Sequence, residues 1–222
     1  MNINGYEIEV IKKRIKHLHL YLLPPDGRLR ITCPLYTTKA QLAQFVALHR
    51  DWIDRHTAQL QAAQNARDDS AFYLWGKAYP LQEVTGNAFS LTVTEDAASL
   101  TVPAGATEEA KASYLKEWYR AALIKEATPL LQRWESVTKM ECRELRTRDM
   151  KTRWGTCNTK EKRIWLSLRL AKLPKECLNY VVLHELVHTA IPNHGAAFKA
   201  ALTQYLPDWR IIQKQMKNSA IY

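Results

Sequence analysis

Apolar and charged residues alternate from Tyr6 through Ile8 to Val10, and the same period of two returns at Leu29, Ile31 and Cys33, beyond the cluster Pro24, Pro25, Asp26, Gly27. A period of two puts one side of a strand into a core. Residues 1 to about 36 are therefore expected to form a β-hairpin or meander. Thr37 or Thr38 then caps a helix expected to run to about Ala66 on Leu42, Phe45, Val46, Leu48 and Ile53, with a polar loop from Asn65 to Ser70. Strand spacing resumes with Phe72, Leu74, Tyr79 and Leu81, a Gly86, Asn87 turn, and then Leu91, Val93, Leu100 and Val102.

Thr107 is placed to cap a long helix, with Glu108 and Glu109 suited to its positive end. Leu115, Trp118, Tyr119, Ala122 and Leu123 supply its buried stripe, and Thr128, Pro129 mark a kink or restart before Leu130, Leu131 and Trp134. Glu144 to Leu170 reads as a β-hairpin, whose second strand alternates Ile164, Leu166, Leu168 and Leu170 with Trp165, Ser167 and Arg169. Pro174 opens a buried helix with an apolar run through Leu178 and Tyr180 to Leu183. The sum is an α+β chain with a β-rich N-terminal module, 1–103, and a second domain, 104–222.

That buried helix continues into His184, Glu185, Leu186, Val187, His188. Residues four apart stack on one helical face, so His184 and His188 can offer two imidazoles to one metal. Glu185 can reach a water on that metal without being a ligand, as the general base of a hydrolase. A catalytic zinc site needs a third protein ligand. Downstream of Glu185 the chain has no glutamate, and its only acidic residue is Asp208. His194 is the stronger candidate, because Pro192 ends the helix near Ile191 and Gly195 permits a tight turn back toward the metal. Asp208 is the fallback.

Arg153, Trp154, Gly155, Thr156, Cys157, then Tyr180 to His188, then Pro192, Asn193, His194 and Phe198 together resemble the YgjP-like metallopeptidase family, in motif order and spacing. The resemblance implies a zincin-like minimal metallohydrolase domain, a single Zn²⁺ on His184, His188 and His194, and Glu185 as the catalytic carboxylate. Thr156 stands where serine is common in that family, and Lys199 where an aromatic is common. The spacing of the three histidines also resembles that of metzincins, but Ile191 takes the position of their glycine.

Charge adds a second layer. The chain of 222 residues carries a net +10, and Glu141 to Glu176 holds eleven Lys or Arg against five Asp or Glu. A basic surface beside a metal cleft favours anionic partners: an acidic peptide, a nucleotide, or nucleic acid. Lys151, Arg153 and Trp154 lie in this stretch and are candidate substrate contacts, with Tyr205 and Arg153 as candidate stabilisers of a developing oxyanion. Three functions follow. The first is a zinc metallopeptidase in which Glu185 moves the proton. The second is a metal-dependent nucleoside triphosphate (UTP-type) pyrophosphohydrolase, an activity with which some members of the resembled family are labelled, although a GxxxxGK[ST] loop is absent. The third is a nucleic-acid-associated protein with a metal site, for which the sequence holds no recognised reader motif. Cys33, Cys142, Cys157 and Cys177 form no CxxC pair, and Met1 to Lys16 lacks an apolar signal stretch, so a cytoplasmic protein with reduced thiols and no membrane segment is expected.

Overall fold

Alternation does make strands at the start of the chain. The computed structural model describes residues 1–23, 27–65 and 70–218, so Pro24, Pro25 and Asp26 of the first expected turn, and 66–69 of the expected polar loop, lie outside the described residues. Its contacts divide the chain into two compact units, Met1–Asp68 and Asp69–Ile221.

In the first unit, strands β1 (Asn2–Ile3), β2 (Tyr6–Lys13), β3 (His19–Leu23) and β4 (Arg28–Pro34) form one sheet in the order β1-β2-β4-β3. The central β2–β4 pair is parallel, from Ile8 opposite Leu29 to Lys13 opposite Pro34. Ile8, Ile31 and Cys33 point into a core shared with Leu42, Val46 and Ile53. Thr38 caps helix α1 (Lys39–Leu48) in a reciprocal box with Gln41, as its sequence suggests. The helix expected to run on to Ala66 breaks instead at His49, and α2 (Arg50–Asn65) begins there. The His49 ring lies 2.8 Å from the Phe45 carbonyl and packs, tilted by 40°, on the Phe45 ring, which satisfies a carbonyl that the terminated helix leaves open. His56 repeats that arrangement on Trp52.

The second unit opens on the same topology. Strands β5 (Ala71–Leu74), β6 (Lys77–Gly86), β7 (Ser90–Val93) and β8 (Ala98–Pro103) pair in the order β5-β6-β8-β7, again with a central parallel pair, β6–β8. Both sheets start with a hairpin closed by two residues of positive φ, Asn4 (53°) and Gly5 (89°) in one, Trp75 (49°) and Gly76 (84°) in the other. This turn matches the twist of the strands it joins. Both fourth strands end on proline, Pro34 and Pro103, with a threonine cap four residues later, Thr38 and Thr107. The chain thus carries a structural repeat of four strands and a helix.

The second copy forms part of the larger unit rather than of an N-terminal module ending at 103, because its apolar residues lack a separate core. Phe72 and Ala98 pack in one cluster with Leu123, Ile164, Leu178 and Leu183. The Trp75 and Gly76 amides donate to the Ala171 and Lys172 carbonyls at 2.8 and 3.2 Å. A Cβ on Gly76 would lie 2.7 Å from the Pro174 ring, so this turn fits only as glycine, pressed against the start of the next helix.

Helix α3 (Glu108–Thr138) runs for 31 residues and continues through Pro129, where a kink or restart was expected. Pro129 is exposed, and the Thr128 hydroxyl donates to the Ile124 carbonyl, so the turn is held at the solvent face. Trp134 Nε1 donates to Asn179 Oδ1 at 2.8 Å, tying α3 to α4 (Lys175–His188). The expected hairpin from Glu144 to Leu170 resolves into three strands, β9 (Glu144–Arg148), β10 (Gly155–Asn158) and β11 (Arg163–Ser167), in the order β10-β11-β9. The hairpin is β10–β11, and β9 adds in parallel on the far side. After Ser167 the chain tightens into a 3₁₀ turn, Leu168–Lys172, so Leu168 and Leu170 are buried outside the strand. Helices α5 (Ala196–Tyr205) and α6 (Trp209–Asn218) complete an α+β fold. Among the described residues no helix is long and apolar enough to cross a membrane.

Candidate metal centre

Helix α4 is apolar on every side, with Cys177, Leu178, Val181, Val182, Leu183, Leu186 and Val187 all buried. A helix of this kind belongs in the middle of a domain, and any polar side chain on it needs a reason to be there. Two of the exceptions are Glu185, 5% exposed, and His188, 9% exposed. Ile164 and Leu166 of β11 join the helix in the core, and β10 lies along it at the sheet edge.

The helical spacing brings His184 and His188 together, with ring centroids 4.9 Å apart. Thr189 ends the helix, and the loop leading to α5 returns His194 to them. The Ile191 amide donates to the Val187 carbonyl at 2.8 Å, which holds the loop close. His194 Nε2 lies 3.1 Å from His184 Nε2 and 3.0 Å from His188 Nε2. Phe198 of α5, 2% exposed, packs its ring against all three imidazoles at 4.9, 4.5 and 4.7 Å.

This donor set fits a metal. Nitrogens held about 2.0–2.1 Å from a tetrahedral zinc sit roughly 3.3 Å from one another, close to the separations here. His188 Nδ1 lies 3.1 Å from the Ile191 carbonyl, which only accepts, so Nδ1 carries the proton and Nε2 presents a bare lone pair to the centre. Burial depresses His184 to about 3, with help from the other two histidines, and lowers His188 as well. Both are neutral, the form that binds metal. Among the described residues, these three histidines are the group of His, Cys, Asp or Glu side chains able to hold an ion, and Asp208, the fallback ligand, is outside it. Asp208 begins α6 instead, its carbonyl accepting from the Ile211 and Ile212 amides.

Glu185 lies beneath β10. A Cβ on Gly155 would lie 2.7 Å from Glu185 Cγ and Oε1 and 2.9 Å from Val181 Cγ1, so the strand backbone touches the carboxylate because no side chain intervenes. Burial raises Glu185 to about 8, opposed by the charge of Arg153. A divalent cation on the three Nε2 atoms would favour its ionised form. Cys157, on the same strand, is pushed up to about 11, chiefly by burial and then by the Glu185 charge, and is inert as a thiolate ligand.

The other sequence candidates are more dispersed. Arg153 and Lys151 are exposed, and the Lys151 carbonyl accepts from Arg169 Nη1 at 2.8 Å. Trp154 is half-buried, with the Arg169 guanidinium 5.1 Å over its ring and its carbonyl accepting from the Ser167 amide. Tyr205 packs on the core at the end of α5. Two neighbours of the site escaped residue-by-residue reading: Gly155, whose significance is the missing side chain, and Tyr180, which passes for one more apolar residue of α4 although its hydroxyl lies 3.3 Å from His184 Nδ1.

Residues 18–219 match the profile of a family described as YgjP-like, metallopeptidase domain. No curated protein sequence matches the chain. The matched span runs from the start of β3 into the last residues of α6 and takes in the three histidines, Glu185 and Gly155. A family of metallopeptidase type implies a metal-dependent hydrolase, in accord with the histidine cluster. The chain belongs to the YgjP-like metallopeptidase domain family.

Proposed function

We propose that this protein is a zinc-dependent peptidase in which His184, His188 and His194 hold the metal and Glu185 is the general base. The observation that carries this is the convergence of three Nε2 atoms within 3.0–3.1 Å contacts beside a buried carboxylate on the same helix. Zinc bound there would supply Lewis acidity and an acidified water. Glu185 takes a proton on its carboxylate and later gives it to the leaving amine. The close approach of the Gly155 backbone limits where that carboxylate sits. Among the described residues strand β10 pairs only with β11, and its other edge can take an extended peptide as a further strand. Arg153, whose charge reaches Glu185, is the first candidate to stabilise a developing oxyanion, with Lys151, Trp154 and Tyr205 as further contacts.

Peptide-library cleavage after zinc loading, run beside pyrophosphate release from nucleoside triphosphates, tests the assignment. Zinc-dependent peptide cleavage with silence on nucleotides is expected. Pyrophosphate release without peptide cleavage would replace it with the pyrophosphohydrolase function. Gly155→Ala is expected to lower turnover by about a hundredfold, since a misplacement near 1 Å at a reacting group has that effect. Zinc content should be unchanged in that variant. Turnover within twofold of wild type would show that the strand contact does not set the carboxylate.

A further inference from the structure

We infer that Tyr180 and Gln213 form a positioning relay through which helix α6 orients the first histidine of the metal site. Tyr180 precedes His184 by one turn of α4, and its hydroxyl lies 3.3 Å from His184 Nδ1. Gln213 Nε2 donates to the same hydroxyl at 3.1 Å from α6, 33 residues along the chain. Trp209, one turn before Gln213, stacks nearly parallel to the Tyr180 ring, with 9° between planes and centroids 6.4 Å apart. Trp209 is itself held to α5, its Nε1 donating to Thr203 Oγ1 at 3.0 Å. Trp209, Ile212 and Met216 are buried, which seats the helix.

A phenol has one proton and two lone pairs, and Gln213 fills one lone pair. The other can accept the Nδ1 proton of His184, and in that tautomer Nε2 is bare and points at His194 Nε2, 3.1 Å away. In the opposite tautomer the phenol donates to Nδ1 and Nε2 carries the proton, which blocks coordination. The phenol can pair with either tautomer; metal on Nε2 selects the one in which Nδ1 donates to the phenol, whose own proton then turns away from the ring, and Gln213 and Trp209 hold the phenol where it orients that imidazole. Among the described contacts His188 has its own acceptor, the Ile191 carbonyl, so the two helical ligands are oriented by different means.

This inference rests on the proposed zinc site, and one experiment separates the two. Zinc dissociation constants are measured by chelator competition on untagged wild type, Tyr180→Phe, Gln213→Met and the double variant, together with metal-free melting curves. Partners of this kind alter metal affinity by about 10–100-fold, so Tyr180→Phe should bind zinc that much more weakly. Gln213→Met should lose about fivefold, one neutral hydrogen bond. The double variant should match Tyr180→Phe, because Gln213 acts through the phenol. The metal-free melting temperatures report folding separately, and Gln213→Met supplies the test if Tyr180→Phe does not fold. Zinc affinity unchanged in Tyr180→Phe overturns the relay, and additive losses in the double variant overturn the role of Gln213. Wild type that is folded yet binds no zinc overturns the metal site itself.

Discussion

Glu185→Gln is expected to lower peptide hydrolysis by about a thousandfold while zinc remains bound. The glutamine keeps the shape of a side chain pressed beneath the Gly155 backbone and removes only the ability to take and return a proton, an ability worth about 10²–10⁴ in rate. The same substitution should stabilise the metal-free fold at alkaline pH. Burial holds the Glu185 carboxyl at about 8 against an ordinary 4.5, so between those values the folded chain keeps a proton that the unfolded chain has lost. Wild-type stability from this residue is therefore complete below about pH 4.5 and declines as pH rises to about 8. Glutamine does not titrate. Urea unfolding of both metal-free proteins at pH 5 and pH 8.5 should show Glu185→Gln gaining on wild type by a few kcal/mol across that interval, on the order of the linkage for a shift of this size. His184, depressed to about 3, acts in the opposite sense, its contribution being lost as pH falls below about 6.5, but it is common to both proteins and leaves their difference unchanged. Retained hydrolysis in Glu185→Gln would remove the general base from the mechanism. A pH-independent stability gap would show that the carboxylate is not the buried charge described here.

What could be read from sequence was whatever is local. The caps at Thr38 and Thr107 declare themselves because a threonine before a helix satisfies the backbone within three residues. His184, Glu185 and His188 were legible for the same reason, and His194 because Pro192 forces the chain off the helix within reach of them. Pairing between distant segments was not legible. Alternation at Glu144–Arg148 announces a strand but not its neighbour, and β9 joins β11 in parallel rather than closing a hairpin with it. Ownership of a core is equally non-local: Phe72 and Ala98 have the same pattern as Ile8 and Ile31, yet pack with α4 while the latter pack with α1. The break at His49 is silent in the sequence, because the apolar spacing of Leu42, Phe45, Val46 and Ile53 runs through it undisturbed.

The repeat of four strands and a helix shows what such local signals conceal. Its two copies share little beyond a two-residue turn, a proline ending the fourth strand and a threonine cap four residues on. In the second copy the turn is Trp75, Gly76, pressed on Pro174 at the head of α4. In the first the equivalent Gly5 has open space where a Cβ would go. The same topology thus packs its turn against the start of α4 in one copy and leaves the turn in open space in the other.

His194→Ala is expected to weaken zinc binding by two to three orders of magnitude without disturbing the fold. His184 and His188 are fixed by a buried helix, whereas His194 is exposed and borne by the short loop before α5. Zinc sites bind with about 10–16 kcal/mol shared over four ligands, so one ligand is worth about 2.5–4 kcal/mol. The imidazole of His194 contributes little to the core, and the metal-free melting temperature should stay within a few degrees of wild type. The added stability from zinc should then fall to about a third or less. Free zinc at a thousand times the wild-type dissociation constant stabilises the fold by about 4 kcal/mol, and a site a hundred to a thousand times weaker keeps only about 0.4–1.4 kcal/mol of it. Elemental analysis and melting curves on untagged protein measure both quantities. Asp208→Ala is the control, because Asp208 is the remaining acidic side chain beyond Glu185 and lies outside the histidine cluster. Full zinc binding in His194→Ala with loss in Asp208→Ala would reassign the third ligand. One zinc per wild-type chain, lost only with His194, would leave the identity of the cleaved peptide as the next question for this site.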